Sequence, residues 1–165
     1  MSLPTAREVV RGAPDETAGG RVRLAHHARA LRRRRLLTVE GEAFLVDLPE
    51  TRPIEAGDAF RLEDGRLIAV EAEPEALLEA RAPPEGLARL AWHVGNRHAP
   101  CELGEGWLRV LADRPMAVML RGLGAEVSEV VAPFRPEGGA YGHSHGESGG
   151  ASLGLGSLGL AGHER

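Results

Sequence analysis

Seven histidines carry most of the chemistry this chain offers. His143-Ser144-His145 sets two imidazoles two residues apart between Gly142 and Gly146. In an extended, glycine-flanked segment such a pair can meet one ion with little strain, and imidazole suits nickel, copper and zinc. Two ligands alone bind weakly, so the pair is either part of a larger ligand set or a plain polar tail. His163 stands apart from it. His93 and His98 fall in a helical stretch five residues apart, about 140° around a helix. One ion shared along a helix needs i, i+4 spacing, so these two do not grip a metal together. Position 98 lies in line with the apolar stripe of Leu87, Leu90 and Val94, a pattern that predicts a packed core or interface residue. His26-His27 precedes the arginines of 29–35 and reads as a solvated basic loop or edge strand. Arg32–Arg35 can attract RNA or another anion, but without interleaved aromatics that signal is weak.

No catalytic constellation stands beside these histidines. The chain has no glycine-rich phosphate loop after a strand, no G-x-S-x-G elbow and no H-E-x-x-H. Cys101 and His98 are three residues apart with no third group to orient them, a poor nucleophile and base. Cys101 reads instead as a packed strand thiol, and the chain as a protein that is not an enzyme.

Composition narrows the class further. A single cysteine rules out a disulfide within the chain. The formal charge of -4 argues against general nucleic-acid binding. Met1–Pro14 has no apolar signal core, and no apolar run approaches the ~18 residues of a membrane span. A cytoplasmic location is expected. All 20 basic residues are arginine, and Asn96 is the one amide side chain.

These residues need elements to position them. Residues 1–20 are expected to be poorly ordered, because Gly12, Pro14, Gly19 and Gly20 punctuate a polar stretch. Residues 21–73 read as a small β domain. Phe44, Val46 and Leu48 alternate on one strand face, and Asp64-Gly65 between two apolar runs signals a hairpin of type I′. Residues 74–136 read as a second domain in the order β-α-β-β-α-β, the ferredoxin-like pattern. A strand lies at Leu77-Leu78. A helix follows with Leu87, Leu90, Ala91 and Val94 on one face, ended by Gly95 and Pro100. Short strands are expected at Cys101–Leu103 and Trp107–Leu111. A second helix is capped by Asp113, striped by Met116, Met119, Leu120 and Leu123, and closed by Gly124. Val127, Val130 and Val131 supply the last strand. Residues 137–165 are expected to form a flexible tail, since ten of the 28 residues from Gly138 are glycine. The fold class is therefore α+β.

Two stretches then resemble a known family. Ala91-Trp92-His93-Val94-Gly95-Asn96-Arg97-His98-Ala99-Pro100 is similar to the His-x-Gly-Asn-Arg-His helix end of the urease accessory nickel chaperones, the UreE family. Phe134-Arg135-Pro136-Glu137-Gly138-Gly139-Ala140-Tyr141-Gly142-His143-Ser144-His145 is similar to a second family segment. The resemblance covers about residues 21–145. It implies a first domain that docks peptides or partners and a second that binds metal and joins two subunits. It implies that His98 sits at the two-fold axis of a homodimer, with His143 and His145 as further ligands. It also implies Ni(II) as the carried ion, with Zn(II) or Cu(II) competing, and the urease apoprotein and the GTPase of urease maturation as partners. Nucleic acid and membrane have no part in it. Where some members carry a His-x-His pair before the second helix, this chain has Ala112, Asp113 and Arg114. With three tail histidines, bulk nickel storage is not expected.

The tail separates what the histidines do from what the glycines do. Removing residues 146–165 should leave nickel affinity nearly unchanged. Removing residues 142–165 should weaken it moderately, because ordering a tail on binding offsets part of each ligand bond. Equilibrium dialysis with nickel on the full chain and both truncations checks this; equal affinity for all three eliminates His143 and His145 as ligands.

Overall fold

A computed structural model describes residues 3–13 and 18–138. It contains ten strands and two helices among those residues. The first six strands are β1 (Thr5–Val10), β2 (Ala18–Leu24), β3 (Ala30–Leu37), β4 (Ala43–Pro53), β5 (Ala59–Leu62) and β6 (Leu67–Ala72). They form one sheet in the order β2-β6-β5-β1-β4-β3. β1 runs parallel to β4 and β2 parallel to β6; the other pairs are antiparallel. The sheet curls, so that after β3 the Val39 N–H reaches back to the Arg21 carbonyl on β2 at 2.7 Å.

The core of this sheet follows from alternation. Phe44, Val46 and Leu48 all point inward from β4 and are buried, as their spacing predicts. The Phe44 and Phe60 rings meet at 5.9 Å, tilted by 54°, a favourable aromatic geometry. The Asp64-Gly65 hairpin forms, but not as type I′. Among the described non-glycine residues only His98 has positive φ, so Asp64 does not; Gly65 alone turns left-handed, at φ +89°. The Gly65 N–H bonds the Leu62 carbonyl and Leu62 N–H the Arg66 carbonyl, a type I turn followed by a glycine bulge.

The N-terminus corrects the sequence reading. Strand β1 and the start of β2 stand within residues 1–20, where poor order was expected. Ala6 and Val9 are both buried although three residues apart, because a bulge between Ala6 and Glu8 shifts the inward face by one. That breaks the period of two that identifies a strand, and no local signal marks it.

The second domain contains β7 (Pro74–Arg81), α1 (Pro84–Gly95), β8 (Glu102–Gly104), β9 (Trp107–Leu111), α2 (Arg114–Gly122) and β10 (Glu126–Pro133). Its sheet order is β10-β7-β9-β8, with every pair antiparallel. This is the expected ferredoxin-like arrangement, so the chain has an α+β fold. Leu90 and Val94 of α1 and Met116, Ala117 and Leu120 of α2 pack on Leu78, Ala80, Leu108 and Val110 of the sheet. Asp113 caps α2 by accepting the Met116 N–H at 3.0 Å. At the other end the Gly124 N–H bonds the Arg121 carbonyl and the Ala125 N–H the Leu120 carbonyl. That is a Schellman closure, with Gly124 at φ +88°. No helix among the described residues is long and apolar enough to cross a membrane.

On the sheet face opposite the helices Glu79 is buried between two arginines. Arg109 donates from Nε at 2.8 Å and from Nη2 at 2.7 Å, and Arg81 from Nη2 at 2.6 Å. Burial alone raises the Glu79 carboxyl; the bonds from Arg109 and Arg81 outweigh it and hold the group below the usual carboxylate range. A depressed carboxyl stabilises the fold above its unfolded pKa of about 4.3, and that contribution is lost as pH falls through the folded value. Stability should therefore drop with acid below about pH 4.3. Glu79→Gln should flatten this part of the profile, as read by urea unfolding across the acid range.

Candidate metal centre

Three backbone bonds fix the end of α1. The Asn96 N–H bonds the Trp92 carbonyl at 3.0 Å, Arg97 N–H the Val94 carbonyl at 3.0 Å and His98 N–H the Gly95 carbonyl at 2.9 Å. Arg97 Nη1 also donates to the His93 carbonyl at 3.2 Å, satisfying a terminal acceptor. The chain then reverses through His98, which takes φ +52°. Glycine, and less often asparagine, is usual at such a position, and most other residues are strained there by roughly 1–2 kcal/mol. Pro100 keeps Ala99 out of the helical region and directs the chain to β8.

This geometry corrects the core half of the core-or-interface expectation for His98. The helix ends at Gly95, so His98 does not continue the stripe of Leu87, Leu90 and Val94, and its side chain is exposed rather than packed. His93 remains on the helix, half-buried, its ring edge-on to Trp92 at 4.9 Å. Trp92 itself is 64% exposed. The end of α1 thus carries an exposed indole, Trp92, and is followed by an exposed imidazole, His98.

Among the described residues, no three His, Cys, Asp or Glu side chains converge closely enough to hold a metal ion. His143, His145 and His163 lie outside the described residues. Cys101 is half-buried just before β8, near the helix–sheet core, as a packed thiol should be. Burial, then Glu137 and Glu102, push its thiol up to about 11. Without a metal, Cys101 is therefore a neutral thiol near neutral pH and not a reactive thiolate. Asp113 spends its carboxylate on the α2 cap.

Two residues read as solvated prove to be structural. His26 and His27 form a single 3-10 turn with Ala28, not an edge strand. His27 is exposed, but His26 is half-buried, its ring edge-on to Phe134 at 5.5 Å. Burial first, and Arg29 next, lower its pKa, so the neutral imidazole is favoured. Arg29 is buried. Its Nη2 donates to the Phe134 carbonyl at 2.6 Å and lies 3.7 Å from Glu75 Oε2. The Glu75 carboxylate also accepts the His26 N–H at 2.8 Å. Phe134 is fully buried, and beyond it the Arg135 N–H bonds Glu102 and the Glu137 N–H the Cys101 carbonyl. The second family-like segment therefore begins as a clasp between the domains. His26, Arg29, Arg135 and Glu137 line a cleft of ≈ 280 Å³ there. Only the Phe134 motif hinted at this in the sequence; nothing local distinguished Arg29 from its solvated neighbours.

Residues 4–73 match the model of the UreE urease accessory protein N-terminal domain, and residues 73–162 that of its C-terminal domain. The chain is 51% identical over 150 residues to a urease accessory protein UreE of Ruegeria pomeroyi, covering 90% of this chain and 99% of that one. It is 48% identical over 141 residues to that of Paracoccus denitrificans, covering 86% and 88%. A third, from Cereibacter sphaeroides, is 46% identical over 142 residues, covering 86% and 76%. The chain belongs to the UreE family of urease accessory proteins.

The left-handed turn at His98 makes a prediction about stability. His98→Gly should raise the stability of the metal-free protein by roughly 0.5–1 kcal/mol, because glycine adopts positive φ without strain. Thermal unfolding of metal-free wild type and variant measures it; an unchanged or lower midpoint contradicts the strain assigned to this residue.

Proposed function

We propose that this protein is a nickel metallochaperone, a non-enzymatic carrier that delivers Ni(II) to apo-urease while the urease metallocentre is assembled. The observation that carries this reading is His98, exposed in a left-handed turn at the end of α1 within the Gly-Asn-Arg-His sequence. A strained, solvent-facing imidazole with no structural task is what a ligand position requires.

One chain offers too few ligands among its described residues, and symmetry can supply more. An isologous dimer brings the same residue of each subunit together. Pairing through the second domain, with the exposed Trp92 beside the seam, lets two His98 side chains share one ion. His143 and His145 then complete its shell. Ligands drawn from separate segments can leave one at a time, which suits a carrier that must release its ion to another protein. Nickel outranks earlier first-row metals at imidazole sites, but copper outranks nickel and zinc competes. Selectivity therefore rests partly on the partners, the urease apoprotein and the accessory GTPase, in the cytoplasm. The first domain serves as the docking module for such partners.

His98→Ala should remove tight nickel binding while leaving the fold and the dimer intact. Titration calorimetry with sedimentation analysis reads both, and unchanged affinity in the variant sinks the proposal. Acid should act in the same direction. Metal-bound imidazole is neutral and free histidine titrates near ~6.5, so nickel affinity should fall steeply between about pH 8 and 5.5. A flat profile across that window would point to carboxylate ligands.

A further inference from the structure

We infer that strand β3 is a docking edge for an acidic, extended segment of a partner protein, which joins the first sheet as a seventh strand. The inference rests on the partner-docking role proposed for the first domain and supplies its chemistry. β3 closes one end of the sheet order and pairs only with β4. β2 ends the sheet on the other side and forms no ladder with β3, although the curl brings Val39 against Arg21. An edge strand offers a row of unpaired N–H and C=O groups, which an extended peptide can complete.

The charge on this edge is unusual within its own domain. Arg32, Arg33, Arg34 and Arg35 are consecutive and all exposed. Arg7, Arg11, Arg21, Arg23, Arg29, Arg61 and Arg66 each have a carboxylate within reach. Arg33 reaches Asp47 only at 3.8 Å, and Asp47 is shared with Arg7. Among the described residues Arg32, Arg34 and Arg35 have no carboxylate partner. The one other such arginine of the domain is Arg52, on β4 opposite Leu31 of β3. The unmatched positive charge of the domain is therefore gathered on β3 and its neighbour. Arg34 stands opposite Val46, a core residue, so one guanidinium emerges on the inward side at the sheet's open edge. Exposed Leu37 and Val39 follow directly and offer an apolar contact at the end of the ladder.

Carboxylates are the complement of this edge, because guanidinium forks bind them in bidentate fashion. Single-stranded nucleic acid fits less well. It needs aromatic faces for stacking, and the two aromatics of this domain, Phe44 and Phe60, are both buried. Charged edges also guard a sheet against self-association; that role alone demands no affinity for acidic peptides.

The test uses the full-length protein without nickel and a fluorescent peptide alternating glutamate and valine, eight residues long to match β3. Anisotropy should show saturable binding that weakens with salt. The combined substitutions Arg32→Gln, Arg34→Gln and Arg35→Gln should weaken it about tenfold or more and leave nickel affinity unchanged. N-methylating alternate peptide amides should abolish it, and hydrogen exchange at residues 32–35 should slow when the unmodified peptide binds. The inference is overturned by no binding to the wild type, by equal binding to the variant, or by indifference to N-methylation. An oligothymidine of equal charge that binds as tightly would make the edge a polyanion site instead. Loss of nickel binding by His98→Ala without change in peptide binding keeps the two proposals separate.

Discussion

A buried guanidinium holds the two halves of this molecule in register. Arg29 reaches from the end of a 3-10 turn in the first domain to the Phe134 carbonyl in the strap that follows the second. Glu75, at the start of β7, balances its charge and also fixes the backbone of His26. A charge placed this deep is tolerated only when paired and hydrogen-bonded. Even so, Nε has no partner. Burial accordingly pulls the Arg29 pKa below its ordinary value, with Glu75 opposing. The strap cannot leave the first domain without stranding that charge, so the segment beyond Phe134 starts from a fixed place.

The second domain shows a different use of local energy. α2 closes in the relaxed way, with an aspartate at one end and a glycine in the left-handed position at the other. α1 ends on Gly95, but that glycine is not left-handed; the left-handed residue that follows is His98. Two helices of one small domain thus solve the same termination problem in opposite ways. The expensive solution stands where the family motif lies, and the cheap one where only packing is at stake. Strain accepted at one helix end and avoided at the other singles out His98 within the domain.

Elements governed by near neighbours were readable from the sequence. The Asp113 cap, the Gly124 closure, the stripes of both helices and the alternation of β4 depend on residues within a few positions. What escaped depends on distant partners. β1 is held by β4 and β5, and its bulge erases the alternation that identifies a strand. Arg29 resembles Arg32 in sequence, yet one is buried under a carbonyl 105 positions away and the other is bathed in solvent. For His98 the family motif implies a metal ligand, whereas the periodicity predicts a packed core or interface residue. The helix stops three residues earlier, and the turn swings the imidazole outward. The exact turn at Asp64-Gly65 escaped for the same reason, since the register of β5 and β6 selects it.

Every side-chain cation in these arrangements, apart from a protonated histidine, is a guanidinium; the chain contains no lysine. The ladder on β3, the Arg29 clasp and the pair gripping Glu79 therefore keep their charge at any pH a cell meets. They are also closed to the acyl transfer that neutralises lysine. Whatever these surfaces bind, lysine acetylation cannot switch them off, and amine-directed dyes and cross-linkers will leave every side chain of the protein untouched.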